Sequence, residues 1–127
     1  MSGSVYEGLG LGGVTMLPIG CAGLGMTTGG GTALGETAVF HMTGAGANLP
    51  VMMFSLPIAP LTVCGGCGLG VKLSTATFYG GDSFALQIPC DGLFVGGTVA
   101  VQGFTYGVGP CVNGALALSP AALLRVR

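Results

Sequence analysis

The sequence has 127 residues, enough for one domain with its own core, and only 6% of them are charged. Three Lys and Arg residues against four Asp and Glu residues give a net charge of −1 at pH 7. Three cations cannot neutralise a phosphate backbone, so the composition excludes nucleic-acid binding. Half of the residues are hydrophobic, and so little charge is typical of subunits whose surface is buried in an assembly.

The chain begins with MSGSVYEGLG, which has neither the basic nor the apolar segment of a secretory signal. We expect residues 1–13 to form an N-terminal arm that is flexible or exchanged between subunits. We nevertheless expect a secreted or surface-displayed protein, for reasons that follow from the cysteines and from a family resemblance. Of two interpretations, a chain that is made and used in the cytoplasm and a sequence that begins after processing or cloning, we favour the second.

The rest of the chain predicts short strands joined by tight turns, because 27 glycines interrupt runs of Val, Thr, Phe, Leu and Ala. In ETAVFHMTG, Ala38 and Phe40 face one side while Val39 and His41 face the other. The predicted strands are 14–18, 23–28, 36–43, 50–56, 69–78, 83–88, 97–105 and 113–126, the last with a break at Pro120. No stretch of twelve residues keeps a helical apolar stripe without glycine, so almost no helix is expected.

About seven to nine short antiparallel strands at this spacing predict an all-β fold. Of a sandwich and a small barrel, we favour a Greek-key-like β-sandwich that forms a single domain over residues 1–127. Membrane insertion is not expected, because the longest apolar stretch, NLPVMMFSLPIAPLTV, contains three prolines.

The segment PVMMFSLP raises the question of what covers the second face of a sheet. Adjacent strand residues point to opposite sides, so Met52 or Met53 must point away from a one-sided core. Another sheet, a loop or another subunit must therefore cover that side chain. The residues predicted to pack between subunits are Val51, Met52, Met53, Phe54, Val99, Val101 and Phe104.

The five cysteines are Cys21, Cys64, Cys67, Cys90 and Cys111. Their spacing admits four interpretations. VCGGCGLG resembles half of a zinc site, but no second close pair follows, so zinc would need Cys64, Cys67, Cys90 and Cys111 together. Without a helix, a thioredoxin-like redox pair is not expected. We favour disulfides, with Cys90 bonded to Cys111 and Cys21 bonded to Cys64 or Cys67, which leaves one thiol over. The alternative is five reduced, buried thiols.

Catalytic chemistry has few candidates in this sequence. His41 is the single histidine, and a Ser–His–Asp site would combine it with Ser83 or Ser119 and with Asp82 or Asp91. The motif G-x-S-x-G is absent, and both aspartates stand in turn sequences, GGDS and PCDG. We therefore predict a protein that is not an enzyme and that holds no cofactor.

Several segments together resemble a known domain. They are IGCAGLG near Cys21, TGAGANLP near Asn48, CGLGV at Cys67, LQIPCDGLFVGGTVAVQGF from Leu86 and ALALSPAALLRV from Ala115. This pattern resembles a Gly- and Pro-rich domain of secreted and surface proteins of planctomycetes and similar bacteria. The resemblance implies a secreted β-sandwich without an assigned role. The chain departs from that pattern in its five cysteines and in standing alone.

These observations predict a non-catalytic structural protein, a self-assembling subunit of an extracellular filament or surface layer. Scarce charge, abundant apolar surface and available cysteines favour this function. One alternative is a secreted module that binds carbohydrate or protein, in which Tyr6, Tyr79 and Tyr106 would stack on a sugar. A second alternative is a virion coat or decoration protein with reduced thiols.

Overall fold

The computed structural model describes residues 13–21, 23–64, 67–92, 96–111 and 116–126, with the backbone alone for 63, 64 and 108–111. Within these ranges the chain forms ten strands, a 3-10 turn at Leu73–Thr75 and no α-helix. The strands are β1 Gly13–Leu17, β2 Gly25–Gly30, β3 Thr37–Thr43, β4 Leu49–Ser55, β5 Pro57–Cys64, β6 Cys67–Val71, β7 Thr77–Gly80, β8 Ser83–Gln87, β9 Thr98–Cys111 and β10 Leu116–Arg125. The predicted all-β, sandwich-like fold is confirmed.

Two segments differ from the predicted strands. β5 occupies 57–64, where no strand was predicted, and it tolerates Pro57 and Pro60 because it pairs with β6 alone. The single strand predicted at 69–78 is β6 followed by β7, which belong to different sheets and are separated by the 3-10 turn. The predicted arm at 1–13 lies outside the described residues, apart from Gly13 at the start of β1.

The described strands form three antiparallel sheets. A five-stranded sheet has the order β1-β10-β9-β4-β7, a three-stranded sheet has the order β2-β3-β8, and β5 pairs with β6 as a hairpin. The register between β10 and β9 shifts between Leu118 and Ala121, where the sequence predicted a break at Pro120. The two edge strands of the five-stranded sheet are β1 and β7.

The main core lies between the five-stranded and three-stranded sheets. The alternation expected for β3 is observed, since Ala38, Phe40 and Met42 are buried and the residues between them are exposed. They pack against Met52 and Val101 of the five-stranded sheet. The ring of Phe84 on β8 also contacts the five-stranded sheet. Its centre lies 5.0 Å from the centre of the Phe54 ring and 4.9 Å from that of the Tyr79 ring.

A second core lies on the other face of the five-stranded sheet, between that sheet and the β5–β6 hairpin. Met53 and Leu118 pack there against Cys67 and Leu69 of β6. Met52 and Met53 are therefore both buried, at 0% and 2% exposure, in different cores. The hairpin of the same chain supplies the cover that the methionine pair requires. We call this face of the five-stranded sheet the hairpin side.

Gln102 joins the hairpin to the five-stranded sheet. Its side chain is completely buried, and its Oε1 accepts a hydrogen bond from the Gly70 N–H at 3.0 Å. Its Nε2 donates to the carbonyl oxygens of Gly68 and Ser119, both at 2.8 Å. Every polar atom of the amide therefore has a partner, which a buried polar group needs to avoid a desolvation penalty.

Candidate functional site

The outward side of β3 carries the single histidine of the chain. Because strand residues alternate, His41 lies between Thr27 of β2 and Ser83 of β8 in the aligned register. Its Nδ1 lies 2.9 Å from Ser83 Oγ and 4.0 Å from Asp82 Oδ1, and Ser83 Oγ donates to Asp82 Oδ1 at 3.3 Å. Of the serines and aspartates that the sequence offered as partners of His41, these two are the pair that the fold brings to it.

The geometry of this cluster differs from that of a Ser–His–Asp relay. In a relay the serine bonds one imidazole nitrogen and the carboxylate bonds the other. Here the serine and the aspartate approach the same nitrogen, and the His41 and Asp82 side chains are about half exposed, at 46% and 52%. Ser119 is buried, where its hydroxyl accepts a hydrogen bond from Gly103 N–H at 2.9 Å. The cluster is a polar contact on an open sheet face.

The cysteines correct two predictions and confirm one. Cys21 and Cys67 form a disulfide with their Cα atoms 5.0 Å apart, one of the two partners expected for Cys21. Cys90 is a free, exposed thiol, so the favoured Cys90–Cys111 bond is not formed. The zinc set of Cys64, Cys67, Cys90 and Cys111 is wrong, because Cys67 has no free thiolate to donate. The side chains of Cys64 and Cys111 lie outside those described.

No group of three or more His, Cys, Asp or Glu residues that could hold a metal ion occurs within the described ranges. A shallow cleft of about 220 Å³ lies between the segment after β1 and the hairpin. Its lining is Pro18, Ile19, Pro60, Leu61, Thr62 and Gly68, so it offers neither charge nor a nucleophile apart from one hydroxyl.

The predicted subunit-packing residues divide into two groups. Met52, Met53 and Val101 are buried within one chain, so the prediction that they contact another subunit is wrong. Four others are only partly buried: Val51, Phe54, Val99 and Phe104. Phe54 and Val99 border the main core, whereas Phe104 borders the second core.

An exposed group of apolar side chains covers part of the hairpin side, and we call it the apolar patch. Leu49 and Tyr106 face each other across β4 and β9 and are 60% and 59% exposed, and Phe78 of β7 is 51% exposed. Val51 and Phe104 lie opposite each other in the same pair of strands, on the same side as Leu49 and Tyr106. The sequence predicted Phe104 as a subunit-packing residue and Tyr106 only as a sugar-stacking one, although a spacing of two places both on one face.

The three-stranded sheet exposes a second face on the side away from the main core, and we call it the outer face. Its side chains alternate with the buried ones of β3 and β8 and are largely polar. They are Thr27, Thr37, Val39, His41, Thr43, Ser83, Ala85 and Gln87. Val39 is 41% exposed and is the largest apolar side chain of this face.

The two described tyrosines do not form the flat cluster that sugar stacking would need. Tyr79 pairs with Met52 and contacts Phe54 and Phe84 on the main-core side of the five-stranded sheet. Tyr106 pairs with Leu49 on the hairpin side. The two rings therefore lie on opposite faces of one sheet. Tyr6 lies outside the described residues.

The described fold and surface define an all-β, sandwich-like protein with one internal disulfide and two different exposed sheet faces. No family model, curated protein or solved structure matches the chain. Within the described ranges, no helix is long and apolar enough to cross a membrane.

Proposed function

We propose that this protein is a non-catalytic structural subunit that associates with copies of itself in an extracellular filament or surface layer. The observation that carries the proposal is the apolar patch, which stays exposed although both cores are closed by the chain's own sheets. A patch of large apolar side chains on a surface with so few charges favours association over dispersion.

The internal disulfide supports an extracellular location. Disulfides persist in oxidising compartments and are rare in the cytosol. The Cys21–Cys67 bond lies in the second core, where Cys67 is completely buried. The resemblance to secreted domains of bacterial surface proteins points the same way. Reduced thiols, as the coat-protein alternative requires, are harder to reconcile with this pair.

Negative-stain electron microscopy and sedimentation velocity of the purified protein test the proposal. We expect regular filaments or sheets, and a sedimentation coefficient that rises with protein concentration. A monodisperse species of 12.4 kDa at all concentrations would contradict self-association. In that case, binding to a glycan array would support the alternative of a secreted binding module.

The same measurement in reductant separates two modes of association. Because the described disulfide is internal, contacts between sheet faces should survive mild reduction. Cys90→Ser provides the matched control, since it removes the exposed free thiol without touching the disulfide. Loss of assemblies in that variant would show that covalent links between subunits are required.

A further inference from the structure

The strand β7 ends the five-stranded sheet and pairs with β4 alone among the described strands. Natural edge strands often carry a proline or a charged residue that blocks further pairing, as β5 does with Pro57 and Pro60. β7 carries neither, and the whole segment 73–81 contains no charged residue and no proline. All four residues of β7 are exposed, so its outer side, which we call the free edge, is accessible to another strand.

The hydrogen bonds to β4 show which backbone groups of β7 point to the free edge. Gly81 N–H donates to the carbonyl oxygen of Pro50 at 2.9 Å, in the same register as the β4–β7 ladder. Hydrogen-bonded pairs alternate along an antiparallel ladder, so Tyr79 also bonds β4. Phe78 and Gly80 therefore direct their N–H and C=O groups outward. Within the described part of the chain, no residue forms a hydrogen bond to these four groups.

We infer that the free edge of β7 pairs with β7 of a second copy, antiparallel about a two-fold axis at Tyr79. Phe78 of each copy then lies opposite Gly80 of the other, and the two strands exchange four N–H···O=C hydrogen bonds. This register uses every outward-pointing backbone group of both strands. The inference rests on the proposed self-association and names the surface through which it occurs.

The same alternation fixes how the two copies face each other. Phe78 lies opposite Met53 in the ladder and therefore on the hairpin side, and Gly80 belongs to the same side. Residues that lie opposite each other share a face, so the hairpin sides of both copies lie on one face of a continuous sheet. The two apolar patches become neighbours. A Cβ added at Gly80 would meet no atom within 4 Å, so there is room for the opposite Phe78 ring.

This contact gives the assembly its repeating unit. A two-fold contact closes on itself, so the pair forms first and does not grow through β7. The pair presents two adjacent apolar patches on one face, twice the apolar surface of a single chain. Growth into a filament or layer requires a second contact, for which the joined patches offer the apolar surface.

Gly80→Pro and Gly80→Ala form a matched pair of variants. Proline removes the outward N–H and obstructs the approaching strand, whereas the bonds to β4 persist because the Gly80 N–H takes no part in them. Alanine keeps the N–H and adds a methyl group in open space, at a residue without a positive φ. In sedimentation velocity we expect Gly80→Pro to associate at least about tenfold more weakly than the unaltered chain, and Gly80→Ala to remain within about threefold of it.

Thr28→Pro is the control at another sheet edge. Gly31 N–H donates to the carbonyl oxygen of Thr37 at 3.1 Å in the β2–β3 register, so the alternation turns the Thr28 N–H to the outer edge of β2. This variant should leave association unchanged. If Thr28→Pro prevents association and Gly80→Pro does not, β2 is the pairing edge and the inference is wrong.

A cross-link tests the register and does not depend on the proline variants. In a Cys90→Ser background, Tyr79→Cys places one thiol of each copy at the two-fold axis, within reach of a disulfide. Thr77→Cys is the control, because its two thiols would lie about 14 Å apart. Under mild oxidation we expect a disulfide dimer from Tyr79→Cys alone, with the bond located by mass spectrometry.

The outcomes separate this inference from the proposed function. Far-ultraviolet circular dichroism shows whether Gly80→Pro folds, and if it does not, the cross-link decides. If a folded Gly80→Pro chain assembles like the unaltered one, or if the assembled Tyr79→Cys chain forms no cross-link, pairing through β7 is wrong and the proposed function stands. If the unaltered chain never associates at any concentration, both fail.

Discussion

Gln102 holds the β5–β6 hairpin against the five-stranded sheet through two buried hydrogen bonds to β6, and a third joins it to Ser119 of β10 in its own sheet. Replacing it with Met keeps the length of the side chain but removes all three bonds. Gly70 N–H and two carbonyl oxygens would then be buried without these partners, at about 1–3 kcal/mol for an unsatisfied group. We expect Gln102→Met to lower the free energy of unfolding by about 2–4 kcal/mol in urea titrations.

Gln87→Met is the control for that substitution, because Gln87 is exposed on β8 and should change stability by less than about 0.5 kcal/mol. A loss below about 1 kcal/mol for Gln102→Met would mean that the hairpin is held by apolar packing and the disulfide alone.

Thr105 presents the opposite case of a buried polar atom. Its Oγ1 is buried and has no hydrogen-bond partner among the described atoms, so its desolvation is not offset. Thr105→Val replaces the hydroxyl with a methyl group of similar volume. We expect the urea unfolding free energy to stay the same or to rise by up to about 1 kcal/mol. A clear loss of stability would indicate that the hydroxyl is hydrogen-bonded in solution, and Thr43→Val on the exposed side of β3 provides the baseline.

At the scale of single elements, β4 is buried on both faces. Met52 and Met53 are adjacent and belong to different cores. A fully buried methionine costs about 2–5 kcal/mol when it is shortened to alanine. We therefore expect Met52→Ala and Met53→Ala each to reduce the unfolding free energy by at least 2 kcal/mol in the same urea assay.

Leu49→Ala on the same strand is the comparison, since Leu49 is 60% exposed and its loss should cost well under about 1 kcal/mol. If one of the two methionine variants were nearly as stable as the original chain, the corresponding face of β4 would not be covered in solution.

The segment after β1 is tied to β6 by the Cys21–Cys67 disulfide, which spans 46 residues of sequence. Closing a loop of this length in the unfolded chain is worth about 4 kcal/mol in the chain-entropy description. We expect the double variant Cys21→Ala with Cys67→Ala to lose about 2–4 kcal/mol of stability by urea unfolding. Reductant should destabilise the original chain comparably and leave the double variant unchanged. Equal stability of oxidised and reduced chains would contradict a bond between these two residues.

At the scale of the whole molecule, strands far apart in sequence are neighbours in space. β1 pairs with β10, with Gly13 opposite Arg125, and β4 pairs with β9. Non-local pairing of this kind is slow, because a long loop must close before its contacts form. We expect the main refolding phase of the disulfide-intact chain in the range of about milliseconds to seconds, followed by stopped-flow tyrosine fluorescence. The double variant Cys21→Ala with Cys67→Ala should refold more slowly, and a sub-millisecond main phase for either chain would contradict the topology.

The all-β fold was predictable from the sequence because its signals are local. Glycine-rich turns and the alternation of β3 act over a few residues, and the structure places Ala38, Phe40 and Met42 inside as that alternation predicts. The break near Pro120 has the same origin, since the ring of proline disturbs the pairing of its own strand. The need for a second cover over the methionine pair also followed from local geometry alone.

What the sequence could not determine depends on long-range packing. β5 contains two prolines and still forms a strand, because it pairs with β6 alone. That hairpin lies over a sheet whose strands come from distant parts of the sequence. That same arrangement decides that Cys21 is bonded to Cys67, one of its two expected partners. It also buries Met52, Met53 and Val101, which were expected at a subunit interface. The sequence by itself determined strands, turns and the scarcity of charge, because each is a property of neighbouring residues or of composition. Only the tertiary structure decided which faces are closed and which stay open, because that depends on how three sheets stack.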